Sequence, residues 1–374
     1  MFLQIHTLTA YPASLLNRDD AGLAKRIPFG NAQRLRVSSQ CLKRHWREDL
    51  TQRLPGIPDG LRTRSFFARM VLPKAIEAGV SVAVGTSLIE PLAKAVIEGG
   101  VKEGGDLHQP VLFGAREAEY FAKMLLEASG AQDPAKALTE RLASKEEREN
   151  IKAMSKSAAG LTAALFGRMV TSDLLSRVDA PVHVAHAFTV HAANTEMDYF
   201  TVVDDLNRED ETGAAHANQT ELGAGIYYGY VAVDVPLLVS NLTGCAPQDW
   251  KKQESDLPRR VLDGLVHAIA EVSPGAKLGS TAPYSRAEYV LLETGAQQPR
   301  QLANAFLEAL PLSGNPMQRA AQRLGEHLNK IDKMYQATAD HRDLATICDP
   351  APLNLQPVSL QEAIEGCLNA IWSH

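Results

Sequence analysis

The sequence has little cysteine and none of it is paired by spacing: Cys41, Cys245, Cys348 and Cys367 are scattered, indicating neither a disulfide framework nor a cysteine zinc site. It has no apolar run near the roughly 18 residues needed to span a bilayer. Met1 to Thr9 alternates like a strand and lacks the basic start and continuous apolar core of a signal peptide, so the expected location is the cytoplasm. Neither G-x-G-x-x-G nor a Walker-type loop is present, which argues against an enzyme that cradles a phosphorylated small molecule on a glycine-rich turn. There is no internal repeat and no low-complexity tail. Net positive charge is lacking too: the 374 residues sum to −6. With 45% hydrophobic and 22% charged residues, what remains is an ordinary soluble globular composition, long enough for about two domains.

Against that acidic background one segment stands apart. Arg18, Lys25, Arg26, Arg34, Arg36, Lys43, Arg44 and Arg47 face only Asp19 and Asp20 between positions 18 and 47, eight cations against two carboxylates. Phosphate neutralisation is local, so such segregation points to a polyanion held at one place, nucleic acid first. Gln33 to Val37 alternates polar and apolar residues, the period of a half-buried strand with both arginines on one face. Ser38, Ser39 and Gln40 supply N-cap chemistry for a helix over about 41–50. Leu42, Trp46 and Leu50 form its buried stripe, while Gln40, Lys43, Arg44 and Arg47 share the opposite face. A strand delivering arginines to a helix start with free N–H groups is a phosphate site. The plainer reading is an amphipathic helix with a solvated charged face.

Along the chain, Phe2 to Thr9 reads as a strand, and 61–167 changes to alanine-rich helical sequence, with Asp133-Pro134 marking a helix start. Strand signals resume at 181–191 and 225–235, and the polar, aperiodic stretch 207–219 between them is too long for a hairpin turn. A helix is expected at 257–272, a turn at Ser273 to Lys277, a strand at 289–293, and helices near 302–310 and 317–335. Ser359 to Glu362 forms a capping box for a last helix. This order predicts an α+β fold: a mainly antiparallel sheet with one helical insertion and one long loop. No stretch has the Gly-aromatic spacing of the usual RNA-recognition signature, so binding is expected at edges and insertions rather than on the sheet face.

Several separated motifs resemble one family. Leu16 to Asp20, Phe29-Gly30, Arg34 to Arg44, Gly167-Arg168-Met169, Ala185-His186-Ala187, Asp198 to Thr201, Val203 to Leu206 and Pro274 to Lys277 are similar, in order, to the CRISPR Cascade backbone subunits, closest to the type I-E CasC proteins. The resemblance implies a hand-like subunit with an RNA-recognition-like, ferredoxin-like palm, helical fingers and a protruding thumb, stacked in several copies along a guide RNA. In this sequence the palm is 1–58, 181–193 and 224–374, the fingers 59–180 and the thumb 194–223. It further implies a non-catalytic scaffold that presents the guide to complementary target DNA, with further copies of itself and the guide-end-capping, large and small subunits as partners, and no cofactor.

By charge and by resemblance the expected RNA contacts are Asn17, Arg18, Lys25, Arg34, Arg36, Ser38, Gln40, Lys43, Arg44 and Arg47. Arg168 and Met169 correspond to a family position beside a displaced nucleotide, although in isolation Met169 reads as a core methionine. Phe200 and Thr201 sit where the family inserts its thumb between bases; without the resemblance Phe200 reads as a core aromatic. His216, with Gln219 beside it, and Lys277 are weaker candidates. Two enzyme readings stay open. His183, His186 and His191 invite a metal, yet on an alternating strand His186 faces opposite the other two. Asp204-Asp205 forms a carboxylate pair able to support metal-dependent RNA cleavage, as in related backbone subunits of other CRISPR classes, or simply a solvated one.

Overall fold

The computed structural model describes residues 1–374 except 98, 100, 171, 203–215, 337–338 and 374, with the backbone alone at 156–158, 201–202 and 216–218. The chain forms two compact units, one of residues 1–53, 184–233 and 259–374, the other of 54–183 and 234–258. Among the described residues no helix is long and apolar enough to cross a membrane. The fold is α+β, built on a large antiparallel sheet.

In the first unit the strands run in the order His341–Thr346, Tyr289–Gly295, Phe2–Ser14, His216–Asp234, Ala187–Thr189, Ala32–Val37 and Arg26–Phe29. Phe2–Ser14 lies against Tyr289–Gly295 with Ile5 opposite Leu292. Alternation then sorts the side chains. Leu8, Tyr228, Leu291 and Leu344 turn to one face, where Met317, Ala320, Ala321, Leu324 and Leu328 of the helix Pro316–Tyr335 cover them. Thr7, Thr9 and Tyr227 turn to the other, against Leu42 and Trp46 of the helix Ser39–Arg53 and Ile269 of the helix Asp256–Glu271. The helix Leu360–Ser373 shares this second layer, with Trp372 under the guanidinium of Arg259 and Gln361 bonded to His267. Its capping box is formed: Ser359 N–H donates to Glu362, and Glu362 N–H to the Ser359 hydroxyl.

The 19-residue strand His216–Asp234 has two roles. Its second half belongs to the sheet. Its first half pairs with Thr195–Val202, from Gly223 opposite Thr195 to His216 opposite Val202, as a two-stranded ribbon that continues beyond the sheet. The excursion expected at 207–219 is thus partly regular strand, and 203–215 lie outside the described residues.

The second unit packs helices Val82–Val96, Ala115–Ser129, Pro134–Ala143, Lys145–Ala158, Gly160–Phe166 and Val235–Thr243 with a small sheet of Gly60–Thr63 and Val111–Gly114. Phe66 and Phe113 stack at 3.9 Å between ring centroids in a core that includes Phe67, Leu92, Phe121 and Leu125. The caps are local: Asp133 accepts from Lys136 N–H, Ser144 from Glu147 N–H and Asp234 from Leu237 N–H.

Some expectations change. Residues 234–258 pack with the helical unit, not with the sheet. The stretch 181–191 is broken into Val182–Val184 and Ala187–Thr189. The helix expected near 302–310 is a 3₁₀ turn at Ala303–Phe306, with Phe306 O taken by Arg34 and Leu307 O by Asn31 N–H. The edge strand His341–Thr346 escapes a pattern search because charged residues lie on both of its faces, Arg342 on one and His341 and Asp343 on the other.

Candidate nucleic-acid interface

The basic helix forms where its pattern placed it. Leu42, Trp46 and Leu50 are buried, each side chain stabilising by about 1.5–3 kcal/mol relative to exposure. Ser38 is the N-cap, its hydroxyl accepting from Cys41 N–H at 3.3 Å. The expectation that the first N–H groups stand free is corrected. Ser38 N–H donates to Asn17 Oδ1 at 3.0 Å and Ser39 N–H to His186 Nδ1 at 3.2 Å, so of the first turn only Gln40 N–H lacks a partner among the described residues. Asn17 and Ser38 thereby act first as shapers of the loop-helix junction. The outward face keeps its donors, Gln40 and Arg44 exposed, Lys43 and Arg47 half-buried. Burial lowers the pKa of Lys43. Arg44 pairs with Glu48 one turn on, a solvated pair that leaves it able to exchange partners.

Asp19 folds the preceding loop. Its carboxylate accepts from Ala21 and Leu23 N–H, both at 2.9 Å, and an Arg18–Ala24 bridge closes the turn. Arg18 is thereby held out in solvent, and Lys25, Arg26 and Arg36 line an open depression of about 390 Å³ with Asp19 and Asp20. Arg36 reaches Arg26 O and His186 Nδ1. Burial first, then Arg36 and Lys25, lower the pKa of His186, which keeps Nδ1 an acceptor for both Arg36 and Ser39.

Hydrogen bonds carry this surface on to the ribbon. Glu221 takes Ala24 N–H at 2.7 Å and pairs with Arg26, which also donates to Thr195. Ala276 N–H donates to Leu15 O at 2.9 Å, bringing the 273–277 turn beside the basic loop. Lys277 then donates to Thr220 at 2.6 Å and places its ammonium 5.4 Å from the centroid of Phe200. Phe200 is 38% exposed, not a core aromatic. Residues from four separate stretches, 17–26, 36–47, 195–221 and 276–277, therefore form one bonded surface. Sequence reasoning missed Arg26 as the tie to the ribbon, and missed Met197 and Tyr199, which are exposed on the ribbon face opposite Phe200. The alternation of Thr195–Val202 was the available signal.

Two expected RNA-binding residues are withdrawn. Arg34 is fully buried and spends its guanidinium on the carbonyls of Phe29, Thr189 and Phe306, the last at 2.8 Å. It fastens the hairpin to residues 303–309, where Gly30 at φ +60° lies so close to Leu307 that any Cβ would overlap its carbonyl. Arg168, in the helical unit, is buried too, ion-paired with Glu117 at 2.6 Å and donating to Ser155 O and Ser176 O. Its neighbour Met169 is 95% exposed, contrary to a core reading. The structure describes only the backbone of Thr201 and His216, and Asp204 and Asp205 lie outside the described residues.

Of the histidines, His191 is buried with Nε2 accepting from Ile226 N–H and Nδ1 against Ala192 O, His186 serves the helix start, and His183 is exposed. These bonds use the imidazoles one by one rather than aiming them at a common point.

This α+β fold is found in chains of CRISPR surveillance complexes. The chain is similar to a chain of a "CRISPR RNA-guided surveillance complex, pre-nicking", with TM-score 0.80 and 26% identity over 99% of this chain and 100% of that one. A second solved chain, from a "CRISPR RNA-guided surveillance complex", shares the fold at TM-score 0.62 and 24% identity, covering 99% of this chain and 100% of that chain. Residues 3–370 match the model of the CT1975-like protein family, and the chain belongs to that family. No curated protein matches it.

Proposed function

We propose that this protein is a multi-copy backbone subunit of a CRISPR RNA-guided surveillance complex of the Cascade type, close to type I-E, which grips guide RNA through its phosphates. The observation that carries this reading is the bonded continuity of basic helix, basic loop, Lys277 turn and ribbon within one unit. Arg18, Lys25, Arg36, Gln40, Lys43, Arg44 and Arg47 hold the backbone without reading bases, which suits a protein that must accept any guide sequence. Phe200, braced by Lys277, is a rigid apolar side chain on a projecting ribbon, the requirement for unstacking a base and kinking the strand at regular intervals. Thr201 follows it on the same strand, and His216 stands opposite Val202 in the ribbon. Met169 offers an exposed thioether to a displaced nucleotide.

The complementary target DNA pairs with the guide so displayed, further copies of the chain continue the filament, and other subunits cap its ends. The role is a scaffold, with cleavage left to other proteins. The test is co-purification from a host supplied with a CRISPR array, then sequencing and nuclease footprinting of the bound RNA. Guide-length RNA with evenly spaced exposed nucleotides, intact in excess Mg²⁺ or Mn²⁺, is expected. RNA cut at fixed intervals by the metal would instead support the endoribonuclease reading of Asp204 or Asp205. RNA bound equally well after Lys43, Arg44 and Arg47 are all replaced by alanine at physiological salt would overturn the assigned surface.

A further inference from the structure

Among the described residues one group of three metal-ligating side chains converges, far in sequence from the basic segment: His341, Asp343 and Cys367, with donor atoms all within 4.8 Å of one another. His341 and Asp343 are two apart on the edge strand and share its face, and Cys367 comes from the helix Leu360–Ser373 packed over that face. His341 Nε2 is 2.6 Å from Asp343 Oδ2, and the Cys367 sulfur is 3.8 Å from the same oxygen.

The approach depends on Gly366. A Cβ there would lie 2.3 Å from Asp343 Oδ2 and 3.2 Å from His341 Nε2. Glycine inside a helix costs stability relative to alanine. Here the missing Cβ makes the cradle that lets imidazole and carboxylate reach the helix beside the thiol. A tetrahedral zinc ion, with bonds of about 2.0–2.3 Å, sets its donor atoms roughly 3.3–3.6 Å apart. Small side-chain rotations therefore convert the present spacing into a coordination shell, and His341, 36% exposed, has room to make them.

The geometry points to a divalent transition-metal site of the zinc class, formed by His341 Nε2, an Asp343 oxygen and Cys367 Sγ, with water as the fourth ligand. A mixed imidazole, carboxylate and thiolate set suits Zn²⁺ or Co²⁺ rather than Mg²⁺ or Ca²⁺. On binding, the Cys367 proton goes to solvent as the sulfur–metal bond forms, the imidazole carries its proton on Nδ1, and the His341–Asp343 hydrogen bond gives way to two bonds to the ion. The ion would staple the edge strand to the helix Leu360–Ser373.

The test titrates the purified full chain with Co²⁺. One equivalent is expected to produce a thiolate-to-cobalt charge-transfer absorption that Zn²⁺ abolishes. Cys367→Ser is expected to remove the absorption. His341→Ala is expected to weaken Co²⁺ binding by more than about 100-fold, beyond the loss of an outer-shell partner, while Cys245→Ser leaves both unchanged. Because Cys367 is buried and His341 is not, thermal unfolding without metal shows whether each variant is folded, and His341→Ala decides if Cys367→Ser is not. No absorption in the unaltered chain, or one that survives His341→Ala, overturns the site.

Discussion

Replacing Arg168 with methionine strands Glu117 as a buried carboxylate without its cation, and is expected to cost about 3–5 kcal/mol. The check is chemical denaturation, with a lowered midpoint and an unchanged slope. Arg44→Ala should behave in the opposite way. Its side chain is solvated and its partner Glu48 is on the same helix face, so stability should shift by less than about 0.5 kcal/mol. RNA affinity should nevertheless fall, with a log–log salt dependence shallower by about 0.7 for each phosphate no longer neutralised. The two arginines look alike as letters. Arg44 was legible because its role depends on a local helical period. Arg34 and Arg168 were not, because a group that occupies each, Phe306 O for Arg34 and the Glu117 carboxylate for Arg168, arrives from a remote part of the chain.

Trp46 and Phe200 show what an element adds to a residue. Trp46→Ala removes the anchor of the basic helix and is expected to cost about 3–5 kcal/mol, measurable by denaturation, with RNA binding lost as a consequence of unfolding. Phe200→Ala should leave stability nearly unchanged, since the ring is part-exposed on the ribbon. It should weaken RNA binding by about 1–3 kcal/mol per base it stacks and erase the evenly spaced nuclease-sensitive nucleotides in a footprint. The helix Ser39–Arg53 could be read from sequence because cap and stripe lie within one 15-residue window. The ribbon could be read only as an excursion. Its pairing is between strands whose intervening residues carry no period, and the tie through Arg26, Glu221 and Thr195 joins positions almost two hundred residues apart.

Within the sheet unit, a buried ionic network joins parts that no sequence window contains: His6, Glu293, Arg300, Asp332 and Arg342. Burial lowers the pKa of His6 from 6.5 despite its hydrogen bond with Glu293. Against the pull of burial, His6 and Arg300 hold the Glu293 carboxyl well below its ordinary 4.5. Both folded-state values are depressed, so the unfolded chain binds more protons as pH falls. The stability contributed by His6 is complete above 6.5 and is lost below it, and that of Glu293 is complete above 4.5 and is lost further down. Unfolding free energy should therefore fall on acidification, first through His6. His6→Gln should reduce the slope just below pH 6.5 and, because His6 is one of the groups that hold Glu293 down, also make the lower limb shallower.

The division into units was legible only in outline for a related reason. The helical character of 61–167 is local, but whether Val235–Thr243 packs on one unit or the other is decided by neighbours that lie far from it along the chain. The same non-locality governs the protein's synthesis. The strand Phe2–Ser14 lies between His216–Asp234 and Tyr289–Gly295, so the middle of the sheet is made first and both of its neighbours much later. At about 5–20 residues per second, a ribosome needs roughly 10–40 seconds to reach the first neighbour and roughly a quarter of a minute to a minute to reach the second. Until His216–Asp234 is made the nascent strand has two open edges, and a message broken before the codon for Tyr289 yields a chain whose central strand never acquires its second neighbour.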